Sequence, residues 1–313
     1  MNFSIYLPIA GNSVNIILLV GLGGVVGFLS GLFGVGGGFL MTPLLIMIGV
    51  PPTIAAASDS NQIVAASASG TYAHSRAGSV DFKMGVLLLI GGVVGGSLGV
   101  YLIKFLKAMG EADFLITVTY VAMLGGIGTY MFFESLGSLR KKKVSLEAEE
   151  AEPPVSRPSF YARLFGALPW KMKFQRSNVS FSLIVPLFLG TMVGILSAIM
   201  GVGGGFIMVP VMVYLLRMPM HVVVGTSLFQ ILFTCVNVTI LQASVNHTVD
   251  FMLALFLLLG SVVGAQLGAK VNKYLKADQL KILMAVIVLA VMVKMLLGLI
   301  LTPDILVGYQ GGH

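Results

Sequence analysis

Apolar residues gather in ten blocks, at about 13–33, 39–50, 54–73, 84–103, 114–133, 180–200, 206–216, 222–243, 251–269 and 280–302. Most reach the roughly 20 residues that an α-helix needs to cross a hydrocarbon core. The blocks 39–50 and 206–216 are too short, and each directly follows a cluster of glycines. The pattern predicts membrane helices throughout, with two broken ones. Residues 139–178 are polar: Arg140 and Lys141 to Lys143 are followed by Glu147, Glu149, Glu150 and Glu152 and then by Pro153 and Pro154. This composition predicts a flexible or partly helical loop. Within it, residues 160–174 mix aromatic and basic side chains around Trp170, which suits either a segment lying on the membrane surface or a plain linker.

The two glycine clusters belong to an internal repeat. The run from Ser30 to Pro43 aligns without gaps on the run from Ser197 to Pro210, with nine of 14 positions identical. Pro52 then falls on Pro219, the Val80-Asp81-Phe82 triplet on Val249-Asp250-Phe251, and Leu98-Gly99 on Leu267-Gly268. Glycine enrichment alone would not keep that order over about 70 residues, so the chain is a duplication. Its expected organisation is membrane repeat 1 (1–138), a basic cytoplasmic loop (139–178) and membrane repeat 2 (179–313).

Composition narrows the class. Hydrophobic residues make up 57% and charged residues 10%, whereas soluble domains are about a quarter charged. That excludes an ordinary soluble protein and a disordered one. The net charge of +7 does not indicate nucleic acid, because nine of the 19 Lys and Arg residues lie between 140 and 176, as the positive-inside rule expects of a cytoplasmic loop. Cys235 stands alone in an apolar run, which leaves no disulfide framework and no cysteine metal cluster. The first apolar run has no Lys or Arg before it, and so reads as a retained membrane segment rather than a signal peptide.

Loop charge orients the repeats. If each glycine cluster reverses the chain, the halves are inverted. Arg76, Lys83, Arg217, Lys270, Lys273, Lys276 and Lys281 then share the side of the basic loop, and only Lys104 and Lys107 lie opposite. If the halves are parallel, only Arg76 and Lys83 are inside. The rule favours inversion. The expected fold is an all-α polytopic membrane protein of two inverted repeats, each of about five helical segments with glycine-broken helical hairpins. The expected setting is a bacterial inner membrane with both termini external.

Breaking a helix at membrane depth is tolerated where the break lines a cavity. The candidate substrate site therefore starts with Gly34, Gly36, Gly37, Gly38 and Phe39 and with Gly201, Gly203, Gly204, Gly205 and Phe206. Helices starting after the glycines would aim free N–H groups and a positive dipole end at the centre, which suits an anion. Two competing readings are close helix packing and a nucleotide fingerprint. The second fails because no strand precedes either cluster and no Walker lysine follows.

The next block of each half carries polar residues on helical spacing: Ser58, Asn61 or Gln62, Ser69 and Tyr72 in one, Ser227, Gln230, Thr234 and Asn237 in the other. Either they line the substrate path or they join helices. Asn61, Gln62, Ser227, Gln230 and Asn237 are taken as substrate-binding candidates. Arg76 is added as a cation that could meet the anion, the alternative being an interfacial anchor. Asp59 is the candidate proton carrier, the alternative being a helix-end carboxylate in water. Lys294 can snorkel to the interface.

The duplicated Gly-x-Gly-Gly-Gly-Phe motif, each copy followed by a proline and a span bearing Ser, Thr and Gln, resembles the TauE/SafE family of bacterial membrane exporters. The resemblance covers about 13–135 and 180–302. It implies secondary transport of a small sulfur oxyanion, sulfite or an organosulfonate such as sulfoacetate, with Gly34 to Gly38 and Gly201 to Gly205 near the site. The bilayer and the small anion are the expected partners. An anion channel and, distantly, an intramembrane enzyme are the alternatives. No cofactor, metal or catalytic group is expected, since His74, His221 and His247 are scattered and no base stands beside a nucleophile.

Overall fold

The computed structural model describes residues 4–33, 38–76, 78–144, 171–174, 176–177, 179–216, 218–272 and 277–301. A hairpin of β1 (Ser4–Leu7) and β2 (Asn12–Asn15) leads into α1 (Ile16–Phe33), α2 (Gly38–Met47), α3 (Pro52–Arg76), α4 (Phe82–Met109) and α5 (Ala112–Val144). A second hairpin of β3 (Lys171–Phe174) and β4 (Val179–Ser182) leads into α6 (Ile184–Met200) and α7 (Gly205–Pro210). A π-helical turn, Val211–Leu215, follows α7, and then α8 (Met220–Leu241), a π-helical turn (Gln242–Asn246), α9 (Phe251–Asn272) and α10 (Ala277–Leu301). Among the described residues, Phe82–Met109, Ala112–Phe133, Val222–Asn246, Phe251–Gly268 and Ile282–Ile300 are long and apolar enough to cross a membrane.

The protein is therefore an all-α polytopic membrane protein with two small hairpins added, and each hairpin sits 167 residues from its counterpart. The spacing between the glycine motifs is the same. Hydropathy could not show this, because four-residue strands outside the apolar blocks or at their edges carry no membrane signal of their own. The expected loop also shrinks at both ends. Helix α5 continues through Arg140 to Val144, since Lys and Arg are good helix formers once clear of lipid. Lys171–Phe174, the end of the segment 160–174, is a strand rather than a plain linker. Residues 145–170 lie outside the described residues.

Contacts between the halves repeat as well. Helix α1 packs along α9 as α6 packs along α4, while α3 packs on its own counterpart α8 and α5 on its counterpart α10. The first two pairs are glycine seams with a four-residue period, which lets backbones meet. A Cβ at Gly91 or Gly95 of α4 would lie 2.3 or 2.0 Å from the carbonyl oxygens of Leu187 and Thr191. At Gly23 and Gly27 of α1 it would lie 2.4 and 2.3 Å from those of Leu257 and Ser261. In the α3–α8 pair, Gly225 faces His74 and Ser79, Gly70 faces Leu228, and Ile63 packs with Ile231 and Cys235, so these two helices run antiparallel. Gly125 against Met292 and Gly128 against Val288 give α5 and α10 the same sense.

The outer surface matches a lipid environment. On α4, Val86, Ile90, Val94, Leu98 and Phe105 are exposed, while Gly91, Gly92, Gly95, Gly96 and Gly99 are buried. The polar groups are inside: Ser58, Asp59, Ser60 and Gln62 of α3 and Thr226, Ser227, Gln230 and Thr234 of α8 are all buried. In the first part of α3, contacts with α2, α5, α8 and α9 accompany the burial of Ser58, Asp59, Ser60 and Gln62.

The seams give a direct test. Gly95→Val should destabilise the protein by roughly 1–3 kcal/mol, the usual cost of overpacking, because the obstacle is backbone. Gly126→Ala, on a helical position with nothing within 4 Å of the new methyl, should be neutral or stabilise by up to about 1 kcal/mol. Thermal melting in detergent compares the two, and equal melting temperatures would refute the seam.

Candidate substrate site

Helix α6 ends in a left-handed cap at Gly201, where φ is +70°, and its N–H bonds to the Ser197 carbonyl. Gly203 and Gly204 follow at φ +71° and +76°. L-residues with side chains rarely adopt this region, so the break is written in glycine. Space demands glycine too. A Cβ at Gly201 would lie 1.9 Å from the Ala56 carbonyl oxygen of α3, and one at Gly203 would lie 2.7 Å from both Cys235 and Ile231. These are close approaches between a broken helix and the α3–α8 pair, and the glycines that make them are distinct from those of the helix seams. In the first half, Gly34, Gly36 and Gly37 lie outside the described residues. Gly38 opens α2, and its absent side chain leaves room for Ile63 and Asp59.

The residues that follow the two motifs meet. Phe39 and Phe206 stack nearly parallel, 4.5 Å between ring centroids and 8° apart, and both are buried. Two helix starts from opposite halves of the chain are thereby fixed side by side. In α7, the N–H groups of Ile207 and Met208 bond to the Gly204 carbonyl, and those of Gly205 and Phe206 precede the first intrahelical acceptor.

Asp59 lies beside this junction and is fully buried, which excludes a carboxylate standing in water at a helix end. Its Oδ2 accepts a hydrogen bond from the Thr42 hydroxyl of α2 at 2.9 Å, and Oδ1 has no partner. One residue on, the Ser60 hydroxyl donates to the Gly201 carbonyl at 3.1 Å. The Tyr120 hydroxyl of α5 donates to the Met200 carbonyl. Thus α2, α3 and α5 of the first half tie down the helix break of the second.

The polar residues predicted from helical spacing divide. Gln62 donates to Ser261 of α9 at 2.7 Å and keeps its Oε1 unpartnered. Gln230 is buried, donates to Thr234 at 3.0 Å, and likewise keeps Oε1 free of partners. Asn237 donates to the Val93 carbonyl and to Ser97 of α4, so it joins helices. Ser227 bonds back to Val224 of its own helix. Asn61 is half-buried. Arg76 is exposed at the end of α3, its guanidinium 5.1 Å from the Tyr72 ring centre, away from the helix break. The side chain of Ser69 lies outside the described residues. Lys294 is exposed.

Thr42, Ser60 and Tyr120 were missed by sequence reasoning. Thr42 carried a faint signal, since it replaces the apolar Val209 within the aligned motifs. Tyr120 carried none, because its partner is 80 residues away.

Comparison with known proteins agrees with this architecture. The family described as Sulfite exporter TauE/SafE matches residues 19–295. The chain is 28% identical to a probable membrane transporter protein of Bacillus subtilis, YjnA, over 91% of this chain and 100% of that protein. It is 26% identical to another from the same organism, YunE, over 89% and 96%. A probable membrane transporter protein of Xylella fastidiosa is 27% identical over 81% of this chain and 84% of its own length. No solved structure matches the chain.

Proposed function

The chain belongs to the TauE/SafE family of sulfite exporters, and from that premise we propose that this multi-pass membrane transporter exports sulfite or a small organosulfonate such as sulfoacetate in exchange for protons, without enzymatic activity. The observation that carries the reading is the Phe39–Phe206 stack, which brings the starts of α2 and α7 together beside a buried carboxylate. Helix starts supply N–H donors and positive dipole ends, which suit an oxyanion without a buried lysine. The buried amides of Gln62 and Gln230 complete the path on either side, and Asp59 is its proton carrier.

The antiparallel α3–α8 and α5–α10 pairs support inverted halves. Inversion in turn supports an inner-membrane topology with the basic 139–178 segment cytoplasmic and both termini outside.

Purified protein in liposomes should release labelled sulfite or sulfoacetate, faster when a pH gradient is imposed. Counterflow should be stimulated by unlabelled anion on the far side, as a carrier requires and a channel does not show. Absence of flux for both anions in folded protein would overturn the substrate assignment.

A further inference from the structure

Asp81 and Asp250, matched by the repeat, do more than cap helices. Asp81 Oδ1 accepts from the Met84 N–H at the start of α4 and Asp250 Oδ1 from the Leu253 N–H at the start of α9, at 3.2 and 3.1 Å. The second oxygen of each binds a hairpin. Asp81 Oδ2 accepts from the Ser177 N–H and hydroxyl at 3.2 and 2.6 Å, and Asp250 Oδ2 accepts from the Ile9 N–H at 3.1 Å. Arg176 reinforces the first of these, donating to the carbonyls of Gly78 and Val80. Each aspartate is therefore immobilised by its own helix and by the hairpin of the other half.

The remaining group of each aspartate reaches across to the central pair. The Asp81 N–H donates to the Thr226 hydroxyl of α8 at 3.0 Å, and the Asp250 N–H donates to the Ser58 hydroxyl of α3 at 3.1 Å. Because α3 and α8 are antiparallel, these two contacts lie at opposite ends of the pair. Ser58 and His74, which faces Gly225, are about 24 Å apart along α3 at 1.5 Å per residue. Gly203 of the helix break, set against Ile63, lies between them, and so does Cys235, which is fully buried against Gly203 and Ile63.

We propose that these two contacts are the paired gates of the transporter. Asp81 and Asp250 are held by the hairpins as fixed posts, and Thr226 and Ser58 are the positioning residues that release alternately to open one end or the other. Both hydrogen bonds are made in this structure, so it is the state closed at both ends. Ser58 adjoins Asp59, which places one gate next to the proton carrier. The proposal rests on the transport reading, but its test does not require the substrate.

Cys235, the single cysteine of the sequence, is a native reporter. Its labelling by a membrane-impermeant thiol reagent is measured in sealed vesicles of each orientation. Thr226→Val should accelerate labelling about two- to twelve-fold, the net worth of one hydrogen bond, from the face at which Thr226 lies and from that face alone. Ser58→Ala should do so from the opposite face, and Thr226→Ser should label as the wild type does. Unchanged rates, acceleration from the same face in both variants, or equal acceleration from both faces would overturn the gates. Opposite-sided acceleration in protein that moves neither sulfite nor sulfoacetate would uphold the gates and refute only the substrate.

Discussion

Asp59→Asn is expected to abolish the response of anion flux to a pH gradient while leaving counterflow exchange in place. With one proton carried per anion, the wild type should sustain an anion ratio of about tenfold for each pH unit, the equivalence of one unit to 1.36 kcal/mol. The variant should fall to a ratio near one. Asparagine keeps an oxygen to accept the Thr42 hydroxyl and removes a fully buried ionisable group with one unpartnered oxygen. Stability should therefore be unchanged or raised, since an uncompensated buried charge is costly. Gradient-driven accumulation by the variant at the wild-type level would show that the coupling proton travels elsewhere.

Gly201→Ala is expected to eliminate transport and to lower stability more than a methyl at Gly203 or Gly204. The left-handed conformation costs alanine about 1–2 kcal/mol, and the methyl would lie 1.9 Å from the Ala56 carbonyl oxygen. Helix α3 would have to move away from the break, carrying Ser60 from the Gly201 carbonyl and Asp59 from Thr42. Gly49→Ala separates the two costs. Its φ is +91° but nothing lies within 4 Å, so it should lose only the conformational increment and retain flux. Thermal melting with liposome flux on both variants checks this, and equal behaviour would mean that the close approach of α6 to α3 is irrelevant to function.

The repeat, the helical class and the helix breaks were legible in the chain because each is a property of neighbouring residues. The glycine triplets are consecutive, and the copies preserve their order. The four-residue glycine spacing of the α1–α9 and α4–α6 seams was not singled out, because nothing local says which helices will share a seam. The site was legible only in part. Gln62, Gln230 and Asp59 drew attention as polar groups in apolar blocks, and all three are buried at the interface of the halves. Arg76 drew attention by its charge alone, and the structure places it at an exposed helix end. Asn237 shared a helical face with Gln230, but helical periodicity cannot show which of them meets a neighbouring helix.

The sequence by itself determined that this is a duplicated, glycine-broken helical membrane protein with a basic central segment, since composition, period and order along the chain suffice for that. Only the tertiary structure decided what each polar group does. The Gln62 amide bonds to Ser261 across 199 residues, the Asp81 N–H to Thr226 across 145, and the Asp250 N–H to Ser58 across 192. Inside a bundle whose outer face is given to lipid, a buried polar group must find its partner within the protein. Here those partners lie in the other half of the chain, at positions that follow from how α3 and α8 pack against α9 and the starts of α4 and α9 rather than from any local pattern.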